Sequence, residues 1–320
     1  MQQRVLQGTP AVLTMTLEDQ DGTPVAASGA LTVAVTQADG TSVIAAGTAT
    51  SSPSTGVYTV PLTAANTAAL NLLTAVWTDA GPNARTVTTK HEIVGGYYFN
   101  LADARASNDT LIANSSKYPD ALLLATRQEV EEEAERICDV AFVPRYRREI
   151  LDGLATPEII LGANMIRTVR SVKIYPVPGG TQFLTLTAAQ LAGLRWDPDG
   201  MLHRTDFGFF DEGRGNIVIE YEHGWDQPPA DVRRAALTRL RSRLNFEKSG
   251  VNERATTFTA DNGQSYKLAT ADAFSTGIPD VDAAYDRYSF RERGSAGMRA
   301  ASRPLNLDPQ RYSVFHGGVR

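Results

Sequence analysis

The apolar residues of this chain keep a period of two up to about residue 95 and then mix helical runs with strands, and that difference most constrains what it can fold into. From the N-terminus to about residue 95 the period is two. Val12, Thr14 and Thr16 alternate with Leu13, Met15 and Leu17, the pattern of a strand with one buried face. LTVAVTQ (31–37) alternates in the same way, and SVIAAGTATS, GVYTVPL, LLTAVWTD and ARTVTTKHEIV follow as further strands. Leu73, Ala75 and Trp77 share one side of their run. Asp-Gly turns in DQDGTPV and ADGT separate the early runs, because such pairs tolerate positive φ. Only the stretch 63–70 reads as helical. Short strands with turns between them predict an all-β sandwich of immunoglobulin-like type over residues 1–95, with an open barrel as the alternative. This segment has no cysteine, so packed Val, Leu and Ile must hold it. Tyr58 and Trp77 lie on alternating strands and read as core.

GGYYFN (95–100) marks a boundary, since two glycines loosen the backbone and three aromatics anchor what comes next. Residues 96–117 read as a linker with room for one helical turn. From Tyr118 the period is helical. Pro119 starts a helix with Asp120 in its first turn, and Leu123, Val130, Ala134 and Ile137 share one face. Glu129, Glu131, Glu132, Glu133 and Glu135 fall on the other faces, so the helix is amphipathic and acidic, read as ended by Pro144. YRREILDG, PEIILGANMIRTVRSVKIYP and GNIVIEYEHG then read as strands, LTAAQLAGL as a short helix and LRWDPDGMLHR as a hairpin. Residues 118–250 therefore read as an α+β domain, helices with inserted β-strands. Residues 251–320 read as an extension with a short helix at 280–288 and an extended C-terminal arm rich in Arg, Gly, Ser and Pro.

The stretch YEHGWDQPPADVRRAALTRLRSRL (221–244) ends a strand and starts a helix, 230–246, after two prolines. Val232, Ala236, Leu240 and Leu244 recur every four residues and Leu237 widens the stripe. Arg233, Arg234, Arg239, Arg241 and Arg243 lie mainly off that face. Three readings compete for them: a solvated face, contact with DNA phosphates, or pairing with the acidic helix of the same chain or a neighbour. No helix stands at helix-turn-helix spacing before them, because GNIVIEYEHG reads as strand.

Chemistry is sparse. The net charge of −5 excludes a generally basic nucleic-acid binder, so any DNA contact needs a local patch. The lone Cys138 sits among acidic residues, which disfavour a thiolate, and reads as a small core residue. His91, His203, His223 and His316 form no metal-ligand spacing, and His91 reads as a surface or partly buried strand residue. DEGRGN (211–216) has glycines, yet a strand follows it, so a hairpin turn is expected in place of a phosphate loop. The carboxylates of EVEEEAE lie along one helix, whereas general acid–base work needs groups facing across a cleft. The expectation is a non-enzyme with no cofactor and no metal. No apolar run has the length of a membrane span or the shape of a signal peptide, so no membrane partner is expected.

Taken in order, the acidic helix, IRTVRSVKIY, the YEHG strand end, the PPADV helix start and TGIPDVD resemble the head–tail adaptor (connector) proteins of long-tailed bacteriophages. The resemblance spans roughly 118–288; the sandwich lies outside it, as a decoration. It implies a structural virion protein, assembled in the host cytoplasm and located at the head–tail neck. Such proteins form a homo-oligomeric ring of about twelve copies, closed head to tail beneath the portal. The ring extends the DNA channel and docks the stopper or tail. The implied partners are further copies of this chain, the portal protein, a head-completion, stopper or tail protein, and packaged DNA without sequence preference. Glu129, Glu132, Glu133, Arg233, Arg234, Arg239 and Arg241 are the candidates for the subunit interface or channel. Pro304, Leu305, Leu307, Tyr312 and Phe315 are the candidates for an arm that docks the portal or a neighbour. The alternatives are a DNA-binding or regulatory protein using the 230–246 helix, and a surface-binding module using the sandwich.

Overall fold

The structure is a computed structural model, and it describes residues 3–82, 84–106, 112–176, 180–206, 208–246, 257–259, 265–267 and 274–290. The chain is β-rich and forms two compact units, 1–100 with 141–229, and 101–140 with 230–320.

The first unit is built from sheets. Strands β1 (Gln3–Leu6), β2 (Ala11–Thr16), β3 (Leu31–Gln37), β4 (Ser42–Ala49), β5 (Ser51–Ser54), β6 (Val57–Leu62), β7 (Asn71–Asp79) and β8 (Thr86–Val94) come first. They form a five-stranded sheet, β1-β8-β7-β3-β4, and a three-stranded sheet, β2-β6-β5. One core joins the two: Leu13, Met15, Tyr58, Val60 and Leu62 from the smaller sheet meet Val33, Val35, Leu73, Ala75 and Trp77 from the larger. Each set follows the period of two, which is why these strands are legible in the sequence. Strand β1 was not read from the sequence; it pairs in parallel with β8. Residues 63–70 form turns, not a helix. Asn66 Oδ1 accepts from the Thr63 N–H at 2.9 Å and from Thr63 Oγ1 at 2.7 Å, so local side-chain bonds satisfy the backbone and compete with elongation.

The rest of this unit comprises β9 (Arg145–Gly153), β10 (Glu158–Ile160), β11 (Ile166–Ile174), β12 (Leu184–Thr185), α3 (Ala188–Ala192), β13 (Leu194–Trp196), β14 (Met201–Arg204) and β15 (Gly213–His223). Sheets β12-β11-β15-β9 and β10-β14-β13 enclose a second core containing Val172, Ile174, Leu202, Phe210, Ile217, Ile219 and Tyr221. DEGRGN is not a hairpin turn: Gly213 opens β15, which pairs with β9 through a bulge. The bulge lets a glycine-rich segment enter the ladder without a turn.

The 118–250 segment is divided between the units. Its strands lie in the β unit with the sandwich, and its helices lie in the other. The sandwich is bonded directly to the second β module. Arg145 Nε and Nη2 donate to the two carboxylate oxygens of Glu92, each at 2.5 Å. Arg170 Nη1 donates to the Leu70 carbonyl at 2.6 Å, and the Gly95 N–H donates to the Pro144 carbonyl at 2.9 Å. A Cβ on Gly95 would stand 2.6 Å from Pro144 Cβ, so the first glycine of GGYYFN serves close approach, not a flexible joint. His91, expected at the surface or partly buried, is buried (2% exposed). Burial holds its pKa down to about 4, because the charged imidazole would lose its water.

The second unit is helical. It contains α1 (Leu101–Ala106), α2 (Asp120–Cys138), α4 (Ala230–Phe246) and α5 (Pro279–Asp286), with a small hairpin of β16 (Thr257–Thr259) and β17 (Ser265–Lys267). Helix α2 stops at Cys138, well before Pro144, where Asp139 takes a left-handed φ of 55°. Helix α4 has the bounds its sequence predicts.

Candidate functional site

The candidate site lies on α2 and α4, which pack together and each against α5. Their buried faces are the ones the spacing implies: Leu123, Val130, Ala134 and Ile137 on α2, and Val232, Ala236, Leu240 and Leu244 on α4. Cys138 is fully buried and its thiol donates to the Tyr285 carbonyl at 3.6 Å.

The acidic helix is not a uniformly solvated face. Glu131 and Glu133 are 1% and 7% exposed. Glu133 receives Arg239 Nε at 2.7 Å and Arg239 Nη2 at 2.8 Å, a two-pronged pair. Arg243 adds Nη2 to Glu133 at 3.2 Å and Nη1 to Glu129 at 2.9 Å. Burial is the largest single influence on Glu133 and opposes its ionisation. The bonds and charges of Arg239 and Arg243 together outweigh it and hold the carboxyl below its ordinary 4.5. Bonding to Glu133 raises the Arg239 pKa in turn. These two arginines therefore answer one part of the three-way question: they pair with the acidic helix of their own chain.

The other arginines point elsewhere. Arg233 pairs with Asp103 of α1. Arg234 is exposed and Arg241 is half-buried. With Asp103, Arg233, Leu237 and Thr238 they line an open groove of about 470 Å³. Leu237 is half-buried, at the edge of the stripe beside Leu240 and Leu244, and it also lines this groove. Glu132 is exposed on α2, where Gln128 Nε2 donates to it at 2.8 Å. Pro304, Leu305, Leu307, Tyr312 and Phe315, expected in a docking arm, lie outside the described residues.

Two bonding centres went unread in the sequence. Asp231 of PPADV accepts from the Tyr288 hydroxyl at 3.0 Å and from Arg287 Nη1 at 3.3 Å. Asp282 Oδ1 accepts from both the backbone N–H and Oγ1 of Thr276, each at 2.7 Å. Both aspartates stand in the first turn of their helix, where a carboxylate complements the dipole, and no local signal names their distant or looped-back partners. The motif YEHG also has a local meaning. Tyr221 is core, Glu222 receives Arg170 Nε at 2.8 Å, and burial, with Arg145 and Arg147 nearby, holds His223 down to about 3. Gly224 has φ +96°, and a Cβ there would stand 2.4 Å from the Val143 carbonyl oxygen.

Among the described residues no group of three or more His, Cys, Asp or Glu side chains is placed to hold a metal ion. Among them, no helix is long and apolar enough to cross a membrane.

No protein-family model matches the chain and no curated protein matches its sequence. Among solved structures, it is similar to a chain in the neck of an empty gene transfer agent particle computed with C6 symmetry. The identity is 17%, the TM-score 0.41, and the match covers 60% of this chain and 89% of that one. It is also similar to a chain in the virion of a native gene transfer agent particle, at 18% identity and a TM-score of 0.41, with the same coverage. Both likenesses are loose in sequence and in superposition.

Proposed function

We propose that this protein is a structural component of a virion neck, a head-to-tail adaptor that assembles as a ring beneath a portal and docks a stopper or tail. The observation that carries the reading is the meeting of separate sequence motifs in one helical unit. The acidic helix, the PPADV helix and the TGIPDVD helix, which carry the resemblance to head–tail adaptors, are bonded to one another. Glu133 holds Arg239 and Arg243, Asp231 holds Tyr288, and Cys138 bonds Tyr285. Three of the five motifs, far apart in the sequence, thus meet in the helical unit, while IRTVRSVKIY and YEHG lie in the β unit.

Within this reading the β-sandwich of residues 1–95 is an immunoglobulin-like addition fixed to the inserted β module, and the helical unit is the assembling part. The role is structural and not enzymatic, and the site of action is the neck of a particle. Contact with packaged DNA would be through phosphates alone. Native mass spectrometry and negative-stain electron microscopy of the full chain, alone and mixed with its portal, test the reading. The expected result is a closed ring in at least one state. A strict monomer in both overturns it.

A further inference from the structure

A sheet edge that nothing protects is a template for a strand of another chain. Among the described strands, every edge but one carries a device against such pairing. Strand β1 is four residues long and contains Arg4. Strand β4 is bulged against β3, with Gly47 at φ +82°. Strand β5 contains Pro53 and a register shift. Strand β9 carries Arg145, Arg147, Arg148, Glu149 and Asp152. Strands β10, β12, β13, β16 and β17 are two or three residues long. The exception is β2, at the edge of β2-β6-β5. Its sequence, AVLTMT, has no charge, proline or glycine, and its register with β6 runs unbroken from Ala11 to Thr16. Val12 is 51% exposed, and Thr14 and Thr16 are exposed. The Leu17 N–H donates to the Gly56 carbonyl at 2.7 Å. Bonded and non-bonded pairs alternate along an antiparallel ladder, so Ala11, Leu13 and Met15 also bond toward β6. Pro61, opposite Val12, has no N–H to give and suits a non-bonded pair. The peptide groups of Val12, Thr14 and Thr16 therefore point to the open side of β2, where no described residue bonds them.

We infer that β2 is a self-pairing edge: it adds antiparallel to β2 of a second copy, about a two-fold axis at Thr14, and joins the two three-stranded sheets into one continuous sheet. The strand is complementary to itself. In this register Thr14 faces Thr14, and Val12 faces Thr16 of the second copy. The residues with open peptide groups thus meet one another, and each such pair exchanges two backbone bonds. A slip by one residue sets open groups against closed ones, and a slip by two leaves a strand end unpaired. Val–Thr and Thr–Thr neighbours on the outer face favour the contact. No charge is opposed or buried by it, since the second edge is as uncharged as the first. The contact is isologous and complete with two copies. It pairs chains through their sandwiches, apart from any ring closed by the helical unit, so the inference does not rest on the adaptor reading.

The test uses the full chain and substitutions at Thr14, an exposed position on the axis. Under mild oxidation Thr14→Cys should give a disulfide-linked pair on a non-reducing gel, because bonded neighbours in such a ladder stand about 5.5 Å apart at Cα, within disulfide range. Thr59→Cys, one strand further from the axis on β6, should not. Thr14→Lys and Thr14→Glu each set like charges against each other and should weaken pairing at least about tenfold in sedimentation velocity. An equimolar mixture of the two should pair like the wild type. Thermal melts matching the wild type show that the variants are folded. Wild-type pairing by both charged variants overturns the inference, as does Thr14→Cys linking no faster than Thr59→Cys. A wild-type chain that forms no pairs overturns it too. A ring that forms without linkage at position 14 does so while leaving the neck reading standing. Thr14→Lys that loses only portal binding assigns the edge to another protein and also overturns it.

Discussion

Gly224 shows how a motif can be specific without being a binding site. It ends the YEHG strand at φ +96°, with the Val143 carbonyl oxygen 2.4 Å and the Ala141 carbonyl oxygen 3.0 Å from where a Cβ would stand. Its own N–H donates to the Met165 carbonyl at 2.9 Å, so the strand end cannot shift away without losing a bond. Alanine here meets two penalties, a left-handed backbone and a clash with backbone atoms that do not move easily. We expect Gly224→Ala to lower stability by about 3 kcal/mol in urea unfolding. A loss under about 0.5 kcal/mol would show that the loop rearranges freely. Tyr221 and His223, two letters of the same motif, are structural in the same sense: one fills the core, and the other is kept neutral by burial beside Arg145 and Arg147.

At the scale of elements, the α2–α4 pair separates arginines that look alike in the sequence. The side chains of Glu133 and Arg239 are 8% and 14% exposed, while those of Glu129 and Arg243 are 39% and 34% exposed. The first pair is desolvated and the second is half in water, so their substitutions should differ in size. Glu133→Gln keeps the shape but leaves the largely desolvated Arg239 without its bonded carboxylate, and should cost about 3 kcal/mol in thermal or urea unfolding. Glu129→Gln should cost under about 1 kcal/mol, because solvent screens it and Arg243 keeps Glu133. Equal effects would mean that burial does not distinguish the pairs.

The same helices show what could be read in advance. The α4 stripe Val232, Ala236, Leu240, Leu244 was legible because a buried face imposes its period locally. The end of α2 was misplaced at Pro144 because a left-handed stop at Asp139 needs no proline or glycine to announce it. Spacing leaves the acidic run open to water, a neighbour or the arginine helix of its own chain, because it gives directions around a helix axis but not what stands there. Only the fold brings Arg239 onto Glu133, and only the fold puts Leu237 in the groove with Arg234 and Arg241. Asp103 was not a candidate at all, since α1 is too short to show periodicity.

For the whole molecule, the two units should respond differently to acid. The β unit holds His91 and His223 neutral, with pKa values lowered from 6.5 to about 4 and about 3. Unfolding releases both to their ordinary value, so below pH 6.5 the unfolded chain binds protons that the folded unit refuses. That contribution to stability is complete above pH 6.5 and drains away as pH falls toward 4. The Glu133 carboxyl of the helical unit is shifted the opposite way relative to its charged form. Its folded pKa lies below 4.5, so its contribution is complete above pH 4.5 and is lost only as pH falls through the lowered value. The β unit should therefore weaken first. The sequence supplies convenient reporters: Trp77, Trp196 and Trp225, the three tryptophans, all fall in the β unit, whereas the long helices α2 and α4 dominate the helical signal. On acid titration the tryptophan fluorescence transition should fall at higher pH than the loss of circular dichroism at the helical band. Because Glu92–Arg145 and Arg170–Leu70 bond the sandwich to the second β module, single-tryptophan variants keeping Trp77 or Trp196 should share one midpoint. Distinct midpoints would make the sandwich an independent domain. A helical signal lost together with the fluorescence would show that the histidines do not set the order of unfolding.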